Sequence, residues 1–165
     1  MRVNIKNFLN KYRTSEYRHG IYIPEDIYIK CSQMELGMIA KGVDVAYIDL
    51  PDDIYDIIES NKKDQEYRED IDNRISNHRI CGINYEKEGN IEDAISEYKK
   101  AIEIGEQTSL SRFTSYAYAY ERIIILLHKI KDIENEKHYI QAYLLHNDIA
   151  EKTKEKYINR LNKMI

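Results

Sequence analysis

The sequence predicts an all-α fold built from antiparallel helical hairpins. Only 2 prolines and 6 glycines occur in 165 residues, so long helices can form without interruption. Hydrophobic residues make up 42% and charged residues 33% of the chain, a balance typical of a globular protein. Apolar residues recur at spacings of three and four, as on helices with one buried face. The length is that of one domain, so residues 1–165 are predicted to form a single helical domain.

Composition disfavours several classes of function. A net charge of -4 argues against a general nucleic-acid-binding protein, which needs a basic face. No apolar run approaches the ~18 residues of a membrane span, and the first ten residues lack the apolar core of a signal peptide. We therefore expect a cytoplasmic protein with no nucleic-acid or membrane partner. Cys31 and Cys81 have no paired metal-ligand spacing and are predicted to be buried and reduced, with no metal and no cofactor.

The first forty residues predict two helices. The first lies within 3–18 and is ended by Gly20. Its apolar stripe is Ile5, Phe8, Leu9 and Tyr12. Residues 21–29 fit either a short hairpin centred on a proline or the start of a helix. We favour the helix, over 24–41, ended by Gly42.

The next segment is predicted to be less regular. Residues 43–50 read as extended or irregular chain, and a short helix is expected to start at Pro51. The polar stretch 61–64 is predicted to be a turn before a long helix over 65–88. Residues 1–70 are thus interpreted as divergent N-terminal helices.

Three further helices are predicted after the break at Gly89. The first covers 91–104 and is ended by Gly105, and the second covers 109–130. The third carries the apolar residues between 134 and 146. The segment 148–165, rich in lysine and glutamate, is predicted to be a C-terminal capping helix.

The segment 75–106 carries the most specific pattern, because small and aromatic residues alternate at helical spacing. Its structural positions are Gly82, Tyr85, Gly89, Ala94, Tyr98 and Ala101. Glycine and alanine allow two helices to cross closely, and the tyrosines fill the space where the helices diverge. A glycine at the end of the first helix can adopt the positive φ that the turn requires.

This pattern resembles the tetratricopeptide repeat, whose first helix carries a large residue, Leu-Gly and Tyr, and whose second helix carries Ala-x3-aromatic. Here His78 replaces the large residue and Glu106 replaces a proline. The resemblance is clear over 71–106, and over 109–147 it extends to the architecture only. It implies a short superhelix of stacked hairpins. Since about three such units are needed for stability, residues 1–70 are expected to pack on the hairpin, and otherwise the chain must form a homodimer.

The resemblance also implies a function, namely the binding of a protein or peptide in the groove that the first helices of the hairpins line. The corresponding residues are Ser76, Arg79, Ile83, Glu86 and Lys87 in the first hairpin and Tyr118, Glu121, Ile125 and His128 in the second. In one interpretation Arg79 pairs with an acidic side chain, while Tyr118 and Ile125 provide apolar contact. In the other, Arg79 and Glu86 form a solvated surface, and both isoleucines belong to the core. The sequence leaves both interpretations open.

No catalytic motif is evident, so a non-enzymatic protein is expected. Two alternatives are a regulator that senses a short peptide and a small helical nuclease of the HEPN type. The second rests on the spacing between Arg13 and His19 and between Arg122 and His128. The latter pair would lie about 120° apart on a helix, which disfavours a joint site.

Overall fold

The computed structural model describes residues 1–164 and confirms the all-α class. The chain divides into two compact units, Met1–Tyr67 and Arg68–Ile165. The elements are β1 Arg2–Asn4, α1 Ile5–Tyr12, a 3-10 turn Arg18–Gly20, α2 Glu25–Lys41, β2 Tyr47–Asp49, α3 Ile54–Glu88, α4 Ile91–Glu106, α5 Phe113–Lys129, α6 Ile133–Leu144 and α7 Glu151–Asn162. Within residues 1–164, no helix has the length and apolar character that crossing a bilayer requires.

In the first unit, α1, α2 and the start of α3 pack with a two-stranded antiparallel sheet, in which Val3 of β1 lies opposite Ile48 of β2. The predicted stripe of α1 is fully or almost fully buried. The helix is shorter than predicted. It begins at Ile5 because the preceding residues pair with β2 and the Asn4 side chain caps the helix, accepting a hydrogen bond from the Asn7 amide at 3.0 Å. It ends at Tyr12, where the apolar stripe ends.

The helical interpretation of residues 24–41 is confirmed by α2, which Gly42 ends with φ of 66° as predicted. Gly20 lies outside any α-helix and has φ of 88° in the turn that precedes α2. A Cβ there would lie 2.9 Å from the Tyr28 ring, so that turn requires glycine.

The turn predicted at 61–64 is wrong, because α3 is continuous from Ile54 to Glu88. Polar residues do not break a helix when they face solvent or find a partner. Asn61 donates to the Tyr22 carbonyl at 2.8 Å, and Lys62 donates to the Glu16 carboxylate. No glycine or proline lies between Pro51 and Gly82 to interrupt the helix.

In the second unit, the latter half of α3 and helices α4 to α7 surround one hydrophobic core. The turn between α3 and α4 places Gly89 at φ of 81°, as predicted. Ala94, Tyr98 and Ala101 are all 0% exposed.

Two predictions in this unit are wrong. Gly105 does not end α4 but lies inside it, where a Cβ would come within 2.3 Å of the Tyr116 ring. Cys81 is exposed, whereas Cys31 is buried as predicted. Cys81 precedes the buried Gly82 by one residue, a rotation of about 100° around α3 that moves its side chain off the line of closest approach to α4 and into solvent.

Candidate functional site

Helix α3 contacts α5 and the loop that precedes it at three successive levels. The Arg68 Nε donates to the Leu110 carbonyl at 3.0 Å. Further along, the Arg79 guanidinium lies 5.9 Å from the centre of the Tyr118 ring. Last, the Arg122 Nε donates to Glu86 at 3.0 Å. The contacts occur in the same order along both segments, so α3 and α5 run in the same direction.

We define the α3/α5 face as Arg79, Ile83, Lys87, Tyr118 and Ile125. Arg79 is exposed, and among residues 1–164 it forms no ion pair. The stacking of its guanidinium on an aromatic ring contributes about 0.5–1 kcal/mol at an exposed site. The five N–H donors of this planar group therefore remain available for a carboxylate.

Tyr118 is 38% exposed, and the edge of its ring meets buried Tyr98, with 6.1 Å between ring centres. Ile125 lies two helical turns beyond Tyr118 and is 43% exposed. Ile83 is half-buried and packs against the core. The face thus offers one arginine and two partly exposed side chains, of which Tyr118 packs against the buried ring of Tyr98.

Glu86 lies beside this face, and its carboxylate is bound by other side chains of the protein. It accepts hydrogen bonds from the Tyr98 hydroxyl at 2.6 Å and from two nitrogens of Arg122. Burial is the largest single influence on this carboxyl and raises its pKa. The bonds from Arg122 and Tyr98 together outweigh burial and hold the pKa of Glu86 below its ordinary 4.5. The ion pair therefore fixes α3 against α5.

The charge that remains on the α3/α5 face is positive. Arg122 neutralises Glu86, and Lys129 lies close enough to Glu86 to lower its pKa further. Lys87 is exposed two turns beyond Arg79. Within residues 1–164, Arg79, Lys87 and Lys129 form no ion pair, and this excess of positive charge favours an acidic ligand.

The remaining predicted groove residues lie elsewhere or make other contacts. Glu121 accepts a hydrogen bond from the Tyr143 hydroxyl of α6 at 3.0 Å. His128 is exposed, and its Nδ1 lies 3.1 Å from the Glu136 carboxylate, also on α6. Ser76 is half-buried one turn before Arg79. The structure therefore brings Tyr118 towards α3 and turns Glu121 and His128 towards α6.

The arginine–histidine pairs that suggested a nuclease have separate partners. Arg122 binds Glu86 and His128 contacts Glu136. In the first unit Arg13 binds Glu35 at 2.8 Å, whereas His19 is exposed in a turn. Over residues 1–164, no group of three or more His, Cys, Asp or Glu side chains is arranged to hold a metal ion.

Two contacts that join helices near the candidate site were missed in the sequence. Arg122 lies four residues after Tyr118, on the same side of α5, and this spacing could have indicated it. Glu136 is 0% exposed and accepts a hydrogen bond from the Arg160 Nε of α7 at 2.6 Å. Nothing in the pattern distinguishes Glu136 from the other acidic residues that begin α6, because its partner lies 24 residues away.

No family model matches this chain, and comparisons with curated proteins and with solved structures found no significant match. The interpretation of the α3/α5 face rests on its own geometry.

Proposed function

We propose that this chain is a non-enzymatic protein-binding module of the tetratricopeptide type, and that its α3/α5 face binds an acidic peptide segment of a partner protein. The observation that carries the proposal is Arg79. Its guanidinium is exposed, is held over the Tyr118 ring and has no carboxylate partner among residues 1–164.

The arrangement of the helices supports this proposal. In tetratricopeptide-like hairpins the first helices run in the same direction and line the groove, and the second helices lie behind them. The contacts from Arg79 to Tyr118 and from Glu86 to Arg122 give α3 and α5 that common direction. The Tyr98 hydroxyl of α4 donates to the Glu86 carboxylate of α3, which ties the second helix of this hairpin to the first.

The spacing of the face defines the ligand. Tyr118 and Ile125 are seven residues apart, about 10 Å along α5. Arg79 lies at the level of Tyr118. An extended ligand advances about 3.3 Å per residue, so a carboxylate at Arg79 and an apolar side chain at Ile125 would be about three residues apart. We expect an acidic side chain followed or preceded by an apolar one at this interval.

The test is a selection of binding peptides from a random library displayed against the full chain, followed by titration of the selected peptide. Arg79→Glu should weaken binding at least tenfold, because it replaces an attraction with a repulsion. The matched control is Arg74→Glu, which makes the same charge change at an exposed site about 140° away around α3. Selected peptides should be acidic, and their affinity should fall as salt increases.

Circular dichroism will establish that both variants fold. Equal affinities for the two variants would contradict the proposal, as would selected peptides without an acidic residue. A partner that binds through the face should also be lost from cell extract by Arg79→Glu combined with Tyr118→Ala.

A further inference from the structure

Beyond Arg79, the positive charges of the α3/α5 face gather at one end of it. Lys87 is exposed and lies eight residues after Arg79 on α3. Lys129 is exposed and lies eleven residues after Tyr118 on α5, about 20° from it around the helix. The charge of Lys129 acts on Glu86 of α3. Because α3 and α5 run in the same direction, the two lysines lie at the same end of the face.

Neighbouring groups do not cancel this charge. Each lysine lies in the last turn of its helix, where the unpaired carbonyls amount to about half a negative charge. Glu86 is neutralised by Arg122, and Glu88 lies about 100° beyond Lys87 around α3. Neither lysine forms an ion pair within residues 1–164. A net charge of about +1 therefore remains at this end of the face.

The opposite end of the face has mixed charge. Arg68 donates to the Leu110 carbonyl, and Asp72 follows it by one turn on the same side of α3. The Asp72 Oδ1 is buried and accepts no hydrogen bond within residues 1–164. Arg112 lies about 120° from Tyr118 around α5. The end that carries the two lysines is therefore the one that favours a carboxylate more strongly.

We propose that the ligand of the α3/α5 face carries a second acidic side chain, which Lys87 and Lys129 bind while the first binds Arg79. The inference rests on the proposed function and adds the charge pattern of the ligand. Ile125 lies between the level of Arg79 and that of Lys129, so the ligand has an apolar residue between its two acidic ones.

The positions of these cations define the interval between the two acidic residues. Lys87 lies about 12 Å beyond Arg79 along α3, and Lys129 lies about 16 Å beyond Tyr118 along α5. Arg79 and Tyr118 are in contact and stand at the same level. An extended ligand covers these distances in about four to five residues, at about 3.3 Å for each. The acidic residues of the ligand should thus be about four or five positions apart.

A glutamate scan of the peptide selected on the full chain tests this interval. Both ends of the peptide are capped, so that only side chains carry charge. The acidic residue that binds Arg79 is the one whose change to the amide has no further effect in Arg79→Gln, and every other acidic residue is replaced by its amide. Glutamate about four or five positions from it, on one side, should tighten binding about two- to fivefold, as expected for an exposed ion pair.

Protein variants identify the groups that bind the second glutamate. Lys87→Gln combined with Lys129→Gln should abolish the gain in affinity that this glutamate provides. The matched control is Lys152→Gln combined with Lys156→Gln, which removes the same charge from exposed sites on α7 and should preserve the gain. A scan without any gain, or a gain that survives the change of Lys87 and Lys129, would overturn the inference.

Arg79→Glu separates this inference from the proposed function. If Arg79→Glu weakens binding while the scan shows no gain that depends on the two lysines, the face binds acidic peptides through Arg79 alone and the second contact is refuted. If Arg79→Glu binds the selected peptide as tightly as the wild type does, the proposed function itself is contradicted, and the second contact with it.

Discussion

At the scale of single residues, tyrosine supplies most of the aromatic packing, since the chain has 15 tyrosines and 2 phenylalanines. Their rings are buried while their hydroxyls reach carboxylates near the surface. Tyr98 donates to Glu86, Tyr120 to Glu106 and Tyr143 to Glu121, at 2.6, 2.8 and 3.0 Å. The hydroxyl of each of these tyrosines thus has a hydrogen-bond acceptor, so burial of the ring leaves no polar group unsatisfied.

Burial also changes the acidity of these phenols. It raises the pKa of Tyr116 to about 12, with the negative charge of Glu106 adding to the effect. The same causes raise the pKa of Tyr120. An absorbance titration between pH 9 and pH 11 should therefore leave Tyr116 and Tyr120 largely protonated, because ordinary phenols titrate near pH 10 and burial moves the pKa of these two higher. If all tyrosines titrated together near pH 10 while the fold remained intact, the buried environment described here would be refuted.

The close approach of α3 and α4 depends on Gly82. A Cβ there would lie 2.6 Å from the Tyr98 ring, which is itself 0% exposed and bonded to Glu86. We expect Gly82→Ala to lower the free energy of unfolding by about 1–3 kcal/mol through overpacking. The same change at Gly37, which has open space around it, should raise the free energy of unfolding by about 0.5–1 kcal/mol. Urea denaturation measures both, and a neutral or stabilising Gly82→Ala would contradict the packing.

The ion pair between Glu86 and Arg122 should contribute measurably to stability. Glu86→Gln should lower the free energy of unfolding by about 1.5–3 kcal/mol at neutral pH, the range for hydrogen bonds to charged groups. The control is Glu88→Gln, an exposed site at the end of α3, which should have little effect.

The sign of the pH dependence follows from the pKa of Glu86, which is lower in the folded protein than its ordinary 4.5. The stabilisation is fully present above that ordinary value and disappears as pH falls through the folded value. The difference between wild type and Glu86→Gln should thus be constant from about pH 6 to pH 8 and shrink below about pH 4. A difference that did not change with pH would show that Glu86 is not stabilised as a carboxylate.

At the scale of elements, α7 is attached to α6 by a buried ion pair. Glu136 of α6 is 0% exposed, and Arg160 of α7 donates to it at 2.6 Å. Among residues 1–164, removing the arginine leaves the buried carboxylate with the contact to His128 as its remaining ion pair. We expect Arg160→Met to destabilise the unit by about 3–5 kcal/mol. Hydrogen exchange should accelerate in α7 more than in α4, and the exposed control Lys152→Met should leave both unchanged.

The helices themselves could largely be predicted from the sequence, and their ends could not. The stripe from Ile5 to Tyr12 and the stop at Gly42 depend on nearest neighbours along the chain, so periodicity and a single glycine suffice to predict them. The continuity of α3 through Asn61 depends on the Tyr22 carbonyl, 39 residues away. The place of Gly105 inside α4 depends in the same way on Tyr116 of another helix.

The candidate site follows the same division. Arg79, Tyr118 and Ile125 are indicated by the resemblance to the tetratricopeptide repeat, whose motif is a local property of the sequence. That Arg122 would bind Glu86, and that Glu121 would turn to Tyr143, depends on the rotation of α5 against its neighbours. Spacing along one helix does not determine that rotation.

At the scale of the whole molecule, the buried residues form two clusters with no member in common, one in each unit. Leu9 is 0% exposed in the first cluster, and Ile124 is 0% exposed in the second. Leu9→Ala should lower the free energy of unfolding by about 2–5 kcal/mol and accelerate hydrogen exchange chiefly in residues 1–67. Ile124→Ala should accelerate hydrogen exchange chiefly in residues 68–164. Equal acceleration throughout the chain by either variant would show that the two units unfold as one.

Gly82 and Gly105, the glycines inside α-helices that lie beneath tyrosine rings, also constrain how the sequence can drift over evolutionary time. A side chain at position 82 becomes tolerable only after Tyr98 has lost its ring, and position 105 depends on Tyr116 in the same way. Each glycine and its tyrosine should therefore be conserved or replaced together. Related sequences should change both members of a pair or neither, and single changes should be found only in lineages that carry a compensating shift of the helix.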